Sequence, residues 1–312
     1  MLVSLIVPCY NEEESLPILY SALCDVREQV KDKEFEFIFV NDGSRDKTSS
    51  VIKDIAAKDK GVRYTIFSRN FGKEAAMFAG LHKAKGDYVA IMDADMQDPP
   101  ALIPSMIETL DKDEADIVAA RRVTRKGEPP IRSFFARTFY KLINKMVDVE
   151  IADGARDFRL MKRCVVDAIL ELDERQRFSK GIFAWVGFRT KWVEHENVER
   201  VAGETKWNFW KLFAYAIDGI VAFTTAPLRL ATYTGFFFAA AAFLYIIYYF
   251  IRAIILRIYD RVPGYPSLLC FMLFIGGLIL MALGLVGEYI GRIFIEVKRR
   301  PLYIVADEES ED

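Results

Sequence analysis

Two long uncharged segments near the carboxyl terminus constrain the fold of this chain more than any other feature. Leu230–Ile251 and Ser267–Gly287 each run for about 20 residues without a charged side chain, the length that an α-helix needs to cross the hydrocarbon core of a bilayer. Buried helices of a soluble core are the alternative, but two such runs in tandem are rare in a small domain. We therefore predict two transmembrane helices joined by a short loop, within residues 229–292.

The sequence also predicts which side of the membrane carries the polar part of the chain. Two spans place both termini on the same side. Met1 leads directly into the strand-like run LVSLIVP, without a basic segment or a small-residue cleavage site, so we expect no signal peptide. Arginines and lysines just outside the two runs agree with a cytosolic polar domain, although arginines in the connecting loop dilute this signal. We expect an integral protein of the plasma (inner) membrane, with its polar domain and both termini in the cytosol.

Residues 1–204 have the pattern of an α/β domain. Short apolar runs typical of strands alternate with segments in which apolar residues recur at helical spacing, as at Leu16, Leu19 and Leu23. Such alternation predicts a parallel sheet with helices on both faces, and ligands of such sheets bind beyond the carboxyl ends of the strands. The predicted strands are Val3–Pro8, Glu36–Val40, Val62–Phe67, Asp87–Met92 and Asp116–Ala120.

Polar side chains are concentrated where these predicted strands end. The first strand runs into PCYNEEE, the second into VNDGSRDKT, the fourth into DADMQDPP and the fifth into AARRVTRKGEPP. Acids and amides dominate the first three of these segments, and cations dominate the last, which is either a solvated loop or a lid over phosphates. Because the carboxyl ends of parallel strands share one edge of a sheet, we expect all four segments to face one crevice.

Asp93 and Asp95 follow the fourth strand and allow three interpretations. They could form a solvated turn, with Asp98 as the cap of the next helix. They could be a carboxylate pair for acid–base chemistry. They could also hold a hard divalent cation whose remaining ligands are phosphate oxygens. Residues two apart on an extended chain point the same way, so Asp93, Asp95 and Gln97 can present oxygens to one side, and a metal would offset the repulsion between the acids.

Several motifs, in the same order along the chain, resemble those of a known family. SLIVPCYNEEESL, VNDGSRDKT, RNFGKEAAMFAGLHKAKGDYVAIMDADMQDPP and DFRLMKR are similar to family-2 glycosyltransferases, which have the nucleotide-diphosphosugar transferase (GT-A type, Rossmann-like) fold. The two C-terminal spans narrow the resemblance to membrane polyprenyl-phosphate glycosyltransferases, which include dolichyl-phosphate mannose synthases and bactoprenol glucosyltransferases. The resemblance covers almost the whole chain.

The resemblance implies roles for individual positions on the donor side. The nucleotide pocket would be lined by Pro8, Tyr10, Glu12, Asp42 and Asp93, with Asp42 reading the base. The implied cofactor is Mg²⁺ or Mn²⁺. Its protein ligands would be Asp95 and Gln97, with Asp93 near the metal or the ribose.

The resemblance also implies a set of groups on the acceptor side. Asp157 would stand near the acceptor. Cations would hold the phosphates, and the candidates are Arg121, Arg175, Arg177, Lys180 and Lys206, of which Arg177 and Lys206 are preferred. The residues expected to take part in catalysis are therefore Asp95, Asp157, Arg177 and Lys206. Structural roles are expected for the two histidines, His82 and His195.

The implied activity is transfer of a sugar from a nucleotide diphosphate to a polyprenyl phosphate, with inversion at the anomeric carbon. A phosphate monoester is mostly a dianion at neutral pH and needs little help from a base, so we expect Asp157 to orient an arginine or to support developing positive charge. Glucose from UDP is the first expectation, and N-acetylglucosamine, galactose and mannose stay open. A processive polysaccharide synthase is disfavoured because no Q-x-x-R-W motif occurs, whereas an inactive membrane scaffold is an alternative that the sequence leaves open.

The segments around the spans complete the predicted organisation. Residues 205–228 place Trp207, Trp210 and Phe213 beside Lys206 and Lys211, which favours a helix in the headgroup layer over a domain-packing helix. Residues 293–312 are expected to be a cytosolic tail, disordered in its final ADEESED run. Glycines spaced along the second span favour close helix packing, and we expect a homo-oligomer, such as a tetramer. A net charge of −2 gives no indication of nucleic acid binding.

Overall fold

The computed structural model describes residues 1–122, 155–195, 224–251 and 265–309. The chain divides into two units, Met1–Gly219 with Arg299–Asp312 and, separately, Ile220–Lys298. Most of the predicted headgroup helix, including Lys206, and the cationic segment that follows Arg122 lie outside the described residues.

Four parallel strands form the centre of the sheet in the first unit. β1 (Leu2–Cys9) pairs with β2 (Glu34–Asn41) on one side and with β4 (Tyr88–Ile91) on the other, and β2 pairs with β3 (Val62–Phe67). Nearly every side chain of β1 and β2 is buried, because a strand covered on both faces is apolar throughout instead of alternating. The predicted positions of these four strands agree with the structure to within two residues.

The other half of the sheet is mixed. β6 (Ala155–Lys162) lies between β4 and β5 (Ile117–Arg122) and runs antiparallel to both, and β7 (Thr190–His195) pairs parallel with β5. The five predicted strands all run in one direction, as the α/β pattern indicates, and the sheet is mixed because β6, which lies outside that pattern, begins at the edge where β5 ends. As a result, Ile91 at the end of β4 lies opposite Arg159, and the start of β6 joins the carboxyl edge of the sheet.

Helices connect these strands and cover the sheet. In the first unit the described α-helices are α1 (Ser15–Gln29), α2 (Thr48–Ala56), α3 (Lys73–Lys83), α4 (Ile103–Asp111), α5 (Arg163–Leu170) and α6 (Ser179–Trp185). The buried face of α1 carries Leu16, Leu19 and Leu23, as the spacing predicts. Helix α3 packs very close to β1, since a Cβ atom at Gly80 would lie 2.2 Å from Ile6 Cγ2. Only glycine allows this approach without a shift of Ile6.

Two long apolar helices form the described part of the second unit. α7 (Ala226–Phe250) and α8 (Tyr265–Lys298) contain the candidate membrane spans Ala226–Tyr245 and Phe274–Lys298, of 20 and 25 residues. Their large apolar side chains are mostly exposed, which suits lipid and not the core of a soluble domain. The predicted limits of the hairpin, 229 and 292, fall inside these helices, which start a little earlier and end a little later.

The chain after α8 returns to the first unit as a strand. β8 (Val305–Glu308) pairs antiparallel with β3, which gives the sheet order β7-β5-β6-β4-β1-β2-β3-β8. Tyr303 stacks on Phe67 with ring centroids 4.7 Å apart. Lys53 forms an ion pair with Asp307, and Lys83 pairs with Glu308 at 2.9 Å. The prediction of a disordered tail is therefore wrong for Ala306–Glu308, because this segment pairs with β3 and its acids meet two lysines.

Candidate active site

The loops that follow β1 and β2 are joined by reciprocal hydrogen bonds. Asn11 has a φ of 55°, in the left-handed region that asparagine tolerates. Its N–H donates to Ser44 Oγ at 2.9 Å, and its Oδ1 accepts from the Arg45 N–H at 2.9 Å. The Glu12 N–H donates to Thr48 Oγ1 at 2.9 Å. Three predicted nucleotide-binding residues are partly buried beside these loops: Pro8, Tyr10 and Glu12.

Asp42 ties the end of β2 to the segment that precedes α3. Its side chain is buried, and its two carboxylate oxygens accept from the Phe71 N–H at 2.6 Å and the Gly72 N–H at 3.0 Å. Burial raises the pKa of Asp42, and these two N–H groups oppose the increase. Gly43 has a φ of +63°, and a Cβ atom there would lie 2.2 Å from the Arg69 carbonyl carbon, so this contact requires glycine. The role of Asp42 in reading a base stays a prediction.

The acids after β4 lie on a sharply bent segment. Asp95 is 8% exposed, and its Oδ1 accepts from the Gln97 N–H at 3.1 Å, which closes a turn of the kind that aspartate favours. Met96, between them, has a φ of 60°. A left-handed backbone at a non-glycine residue is strained, and such strain is concentrated at functional sites. The bend carries Asp93 and Asp95 at the carboxyl edge of the sheet.

Asp98 anchors this segment to β6 and β7. Its side chain is 0% exposed and accepts from Arg156 Nε at 3.0 and 3.2 Å, with His195 Nε2 at 3.1 Å. Burial would raise the pKa of Asp98, but His195 and Arg156 outweigh it and lower the pKa. The interpretation of Asp98 as a helix cap is wrong, because the short helical turn Pro100–Leu102 starts without a side-chain cap. The prediction of a structural role for His195 agrees with this contact.

A lysine connects Asp93 with Asp157 at the same edge. Asp157 lies near the start of β6, and Lys73 is the first residue of α3. The Lys73 ammonium is 2.5 Å from Asp93 Oδ1 and also donates a hydrogen bond to Asp157 Oδ2. The side chains of Asp93 and Asp157 are 24% and 18% exposed, and that of Lys73 is 40% exposed, so all three groups reach solvent; we call this part of the carboxyl edge the cleft.

The charges of this cleft shift one another's pKa values. Desolvation would raise the pKa of Asp157, but Lys73 and Lys180 outweigh it and hold the pKa well below its usual range. Desolvation raises the pKa of Asp93, and repulsion from Asp157 and Asp95 adds to the increase, although Lys73 opposes it. Desolvation would lower the pKa of Lys73, but the two carboxylates raise it. Asp157 is thus ionised at neutral pH and is a poor proton acceptor.

Two charged side chains, Arg159 and Glu74, hold the segments next to Asp157 and at the start of α6. Arg159 is buried against the Phe183 ring, 3.5 Å from its centroid, and donates to the Asp157 carbonyl oxygen at 3.2 Å. Burial lowers the pKa of Arg159 to about 10. The Glu74 carboxylate accepts from the Ser179 N–H at 3.2 Å and from its hydroxyl, and so fixes the start of α6. Burial raises the pKa of Glu74 to about 6.

The predicted phosphate-binding cations are spread over different environments. Lys180 is close enough to Asp157 to lower its pKa. Arg177 lies 4.2 Å from the centroid of Phe78 and donates to the Leu172 carbonyl oxygen at 2.6 Å, so its guanidinium is already held by the protein. Arg175 pairs with Asp173 at 3.4 Å, Arg121 is partly buried in β5, and Lys206 lies outside the described residues. The charge of Lys180 therefore acts on Asp157, and the binding of phosphates by all five cations stays a prediction.

The residues of the cleft fit a divalent cation that arrives with a diphosphate. Within the part of the chain that the structure describes, no group of three or more His, Cys, Asp or Glu could hold a metal ion by itself. Asp93 and Asp95 supply two carboxylates, which suffice when phosphate and water oxygens complete the coordination. The Lys73 ammonium on Asp93 indicates that a cation is accommodated here. Gln97 Oε1 accepts from Arg156 Nη2 at 2.9 Å, and its role as a metal ligand stays a prediction.

Sequence reasoning missed one residue of this cleft, Lys73, and two residues of the contacts around it, Glu74 and Arg156. A signal for the first existed, because a lysine at the first position of a helix opposes the helix dipole and so breaks a local preference without an evident structural gain. The partners of Glu74 and Arg156 are distant in the sequence, Ser179 in one case and Asp98 in the other, and no spacing rule connects them.

Comparison with known proteins identifies the family of this chain. The model of glycosyl transferase family 2 matches residues 4–170, and a model described as the GtrB C-terminal hairpin matches residues 226–293. This chain belongs to glycosyltransferase family 2. The predictions of a glycosyltransferase and of a GT-A type fold followed by two apolar helices are confirmed.

Individual relatives match this glycosyltransferase over nearly its full length. The bactoprenol glucosyl transferase of Shigella phage SfV is 46% identical over 310 residues, 99% of this chain and 100% of that protein. The SfII prophage-derived bactoprenol glucosyl transferase of Shigella flexneri is 47% identical over 305 residues, 98% of this chain and 97% of that protein. Among solved structures, mannosyl-3-phosphoglycerate synthase from Rubrobacter xylanophilus has a TM-score of 0.49 and 18% identity, covering 74% of each chain.

Proposed function

We propose that this glycosyltransferase transfers a glucosyl group from UDP-glucose to the phosphate of a membrane polyprenol, with inversion at the anomeric carbon. The observation that carries the proposal is the cleft in which Asp93, Asp157 and Lys73 meet, in a chain with two candidate membrane spans. The names of the relatives support the choice of glucose and of a bactoprenol acceptor.

The donor would bind across the loops at the ends of β1, β2 and β4. The nucleoside would lie beside Pro8, Tyr10 and Asp42, whose loops are held rigid by the hydrogen bonds around Asn11. Its diphosphate would lie toward Asp93 and Asp95. Rigid loops suit this task, because a pre-ordered site loses less entropy on binding.

The reaction exchanges one bond at the anomeric carbon for another. An oxygen of the acceptor phosphate forms the new bond to C1 of the sugar, and the bond from C1 to the diphosphate breaks, so that UDP leaves with the electron pair. The acceptor phosphate is mostly dianionic at neutral pH and needs no base. Asp157, with its lowered pKa, would orient cations that face the acceptor and stabilise positive charge on the sugar ring. Lys180 would bring a positive charge to the acceptor phosphate.

A divalent cation, Mg²⁺ or Mn²⁺, would be held by Asp93 and Asp95, with Gln97 as a further candidate. When bound, it would neutralise charge that develops on the leaving diphosphate. The charged residues of the chain would supply the remaining stabilisation of the transition state. Charges held in fixed positions around the reacting groups are usually the largest single contribution to catalysis.

The membrane segments would hold the enzyme in the same bilayer as its polyprenyl-phosphate acceptor. The amino-terminal part of the chain and the strand β8 belong to one unit, which supports the expectation that both termini lie on the same side of the membrane, and the assignment of that side to the cytosol stays a prediction. The domain limits at residues 204, 228 and 292, the headgroup helix and the homo-oligomer stay predictions.

A transfer assay tests the proposal. Purified protein would receive radiolabelled nucleotide sugars in turn, with undecaprenyl phosphate and Mg²⁺ or Mn²⁺, and label in the organic phase would be counted. We expect transfer from UDP-glucose above all other donors. Asp95→Ala should abolish metal-dependent turnover, whereas Asp54→Ala, which changes an exposed residue of α2, should leave it intact. Absence of transfer from every donor would contradict the proposal, and a normal rate in Asp95→Ala would remove this residue from the metal site.

A further inference from the structure

Lys73 occupies a position that costs a lysine free energy. It is the first residue of α3, after Gly72 with a φ of 101°, where the partial positive charge of the helix end repels a cation. A position that breaks a local preference is expected at a functional site. The two ion pairs of Lys73, with Asp93 after β4 and Asp157 on β6, offset this cost and join three separate elements of the fold at one atom.

The two carboxylates on this ammonium have different tasks in the proposed function. Asp93 belongs to the donor and metal side, and Asp157 to the acceptor side. One ammonium between them fixes their separation, and the sugar must react in the space that they border. It also gives Asp93 a positive partner in the absence of a metal ion, so that the lysine and a metal ion would bind the same carboxylate in competition.

We propose that Lys73 is a positioning residue that sets the separation of Asp93 and Asp157 and competes with the divalent cation for Asp93. The proposal rests on the proposed function for the part that concerns catalysis. The part that concerns competition for Asp93 does not depend on sugar transfer. Two unit charges a few ångströms apart attract each other even near a protein surface, where solvent weakens the interaction, so removal of the ammonium should favour a metal ion at Asp93, even though it harms the geometry for transfer.

The first experiment measures binding of Mn²⁺ to full-length protein, without UDP and with UDP to supply the diphosphate oxygens, from the electron paramagnetic resonance signal of the free ion. Lys73→Met should bind Mn²⁺ several-fold more tightly than the wild type, because a competing charge is lost. Asp157→Asn should bind it more weakly, because one negative charge is gone and Lys73 turns fully to Asp93. Lys73→Arg, which keeps the charge, should stay close to the wild type.

The second experiment measures transfer kinetics of the same variants. We expect kcat of Lys73→Met to fall about a hundredfold, the cost of misplacing a reacting group by about 1 Å, with little change in KM for the nucleotide sugar. Lys73→Arg should recover part of the rate. Because Lys73 acts on the acceptor side through Asp157, Lys73→Met should cost much less in the Asp157→Asn background than in the wild type.

Tighter Mn²⁺ binding by Lys73→Met together with weaker binding by Asp157→Asn would distinguish a positioning role from a merely structural one. A merely structural role would weaken Mn²⁺ binding in every variant and lower the melting temperature. Equal or weaker Mn²⁺ binding by folded Lys73→Met, or a kcat close to that of the wild type, would overturn the proposal. If Lys73→Met does not fold, Lys73→Gln carries the same test. If wild-type protein transfers no sugar to polyprenyl phosphate, the proposed function fails, and the Mn²⁺ titrations still decide the competition at Asp93.

Discussion

Removal of the Asp98 carboxylate should destabilise the first unit of the chain strongly. The side chain is 0% exposed and contacts Arg156 and His195 at 3.0 and 3.1 Å. In Asp98→Ala the Arg156 guanidinium, with 22% of its side chain exposed, keeps the hydrogen bond to Gln97 but loses its carboxylate. A partly buried cation without a counter-charge is costly, because the protein replaces its water incompletely.

The magnitude follows from the burial of the two partners. Breaking a buried ion pair costs about 3–5 kcal/mol, and the partial exposure of Arg156 favours the lower end, about 3 kcal/mol. For a domain of about 150–250 residues, each kcal/mol corresponds to about 2–4 °C. We therefore expect the melting temperature of Asp98→Ala to fall by about 6–12 °C.

The assay is a thermal melt of full-length protein in detergent at one fixed scan rate, followed by circular dichroism. Glu108→Ala is the matched control, because Glu108 is exposed and pairs with Lys112 one turn along α4, where solvent screens the interaction. The double variant Asp98→Ala/Arg156→Met should be more stable than Asp98→Ala, since it removes the unpaired charge. A melting temperature of Asp98→Ala equal to that of the control would refute the reasoning.

Two further predictions concern Glu74 and the tail strand. The pKa of Glu74 is raised from 4.5 to about 6, so the folded state binds the proton more tightly, and this contribution to stability is full below about pH 4.5 and is lost as the pH rises through about 6. The melting temperature of the wild type should fall across that window relative to Glu74→Gln, and parallel curves would contradict the assignment. Tyr303→Ala removes the stacking on Phe67, an aromatic contact worth about 0.5–1.5 kcal/mol. It should speed hydrogen exchange at the Ser68 N–H, which donates to the Ile304 carbonyl oxygen at 2.9 Å, and unchanged exchange would show that the tail does not depend on this contact.

The parts of the fold that the sequence predicts are those with a local physical cause. β1 to β4 are apolar runs bounded by turns, and the spans are uncharged over the thickness of a bilayer, so each is visible in a short window. The position of Asp93 at the carboxyl edge follows from the parallel strands. The direction of β6 does not follow, because either direction satisfies the same apolar pattern.

The remaining features depend on partners far along the chain. Nothing near Asp98 distinguishes a helix cap from the partner of Arg156 and His195, 58 residues away in the first case. The tail is acidic and polar, the composition of a disordered segment, and becomes a strand because it pairs with β3 and its acids meet Lys53 and Lys83. Composition predicts how an isolated segment behaves in water, whereas its structure in the folded protein depends on the residues that it contacts.

Strand β8 has a consequence for the order in which this protein is made. It is the last strand of the sheet to leave the ribosome, after both candidate spans, and until then the edge of β3 offers unpaired N–H and C=O groups to other chains. Because domains generally begin to fold during synthesis from the amino terminus, the enzyme passes through a stage in which the other strands can pair while this edge stays open. Completion of the sheet therefore has to wait for synthesis of the membrane hairpin.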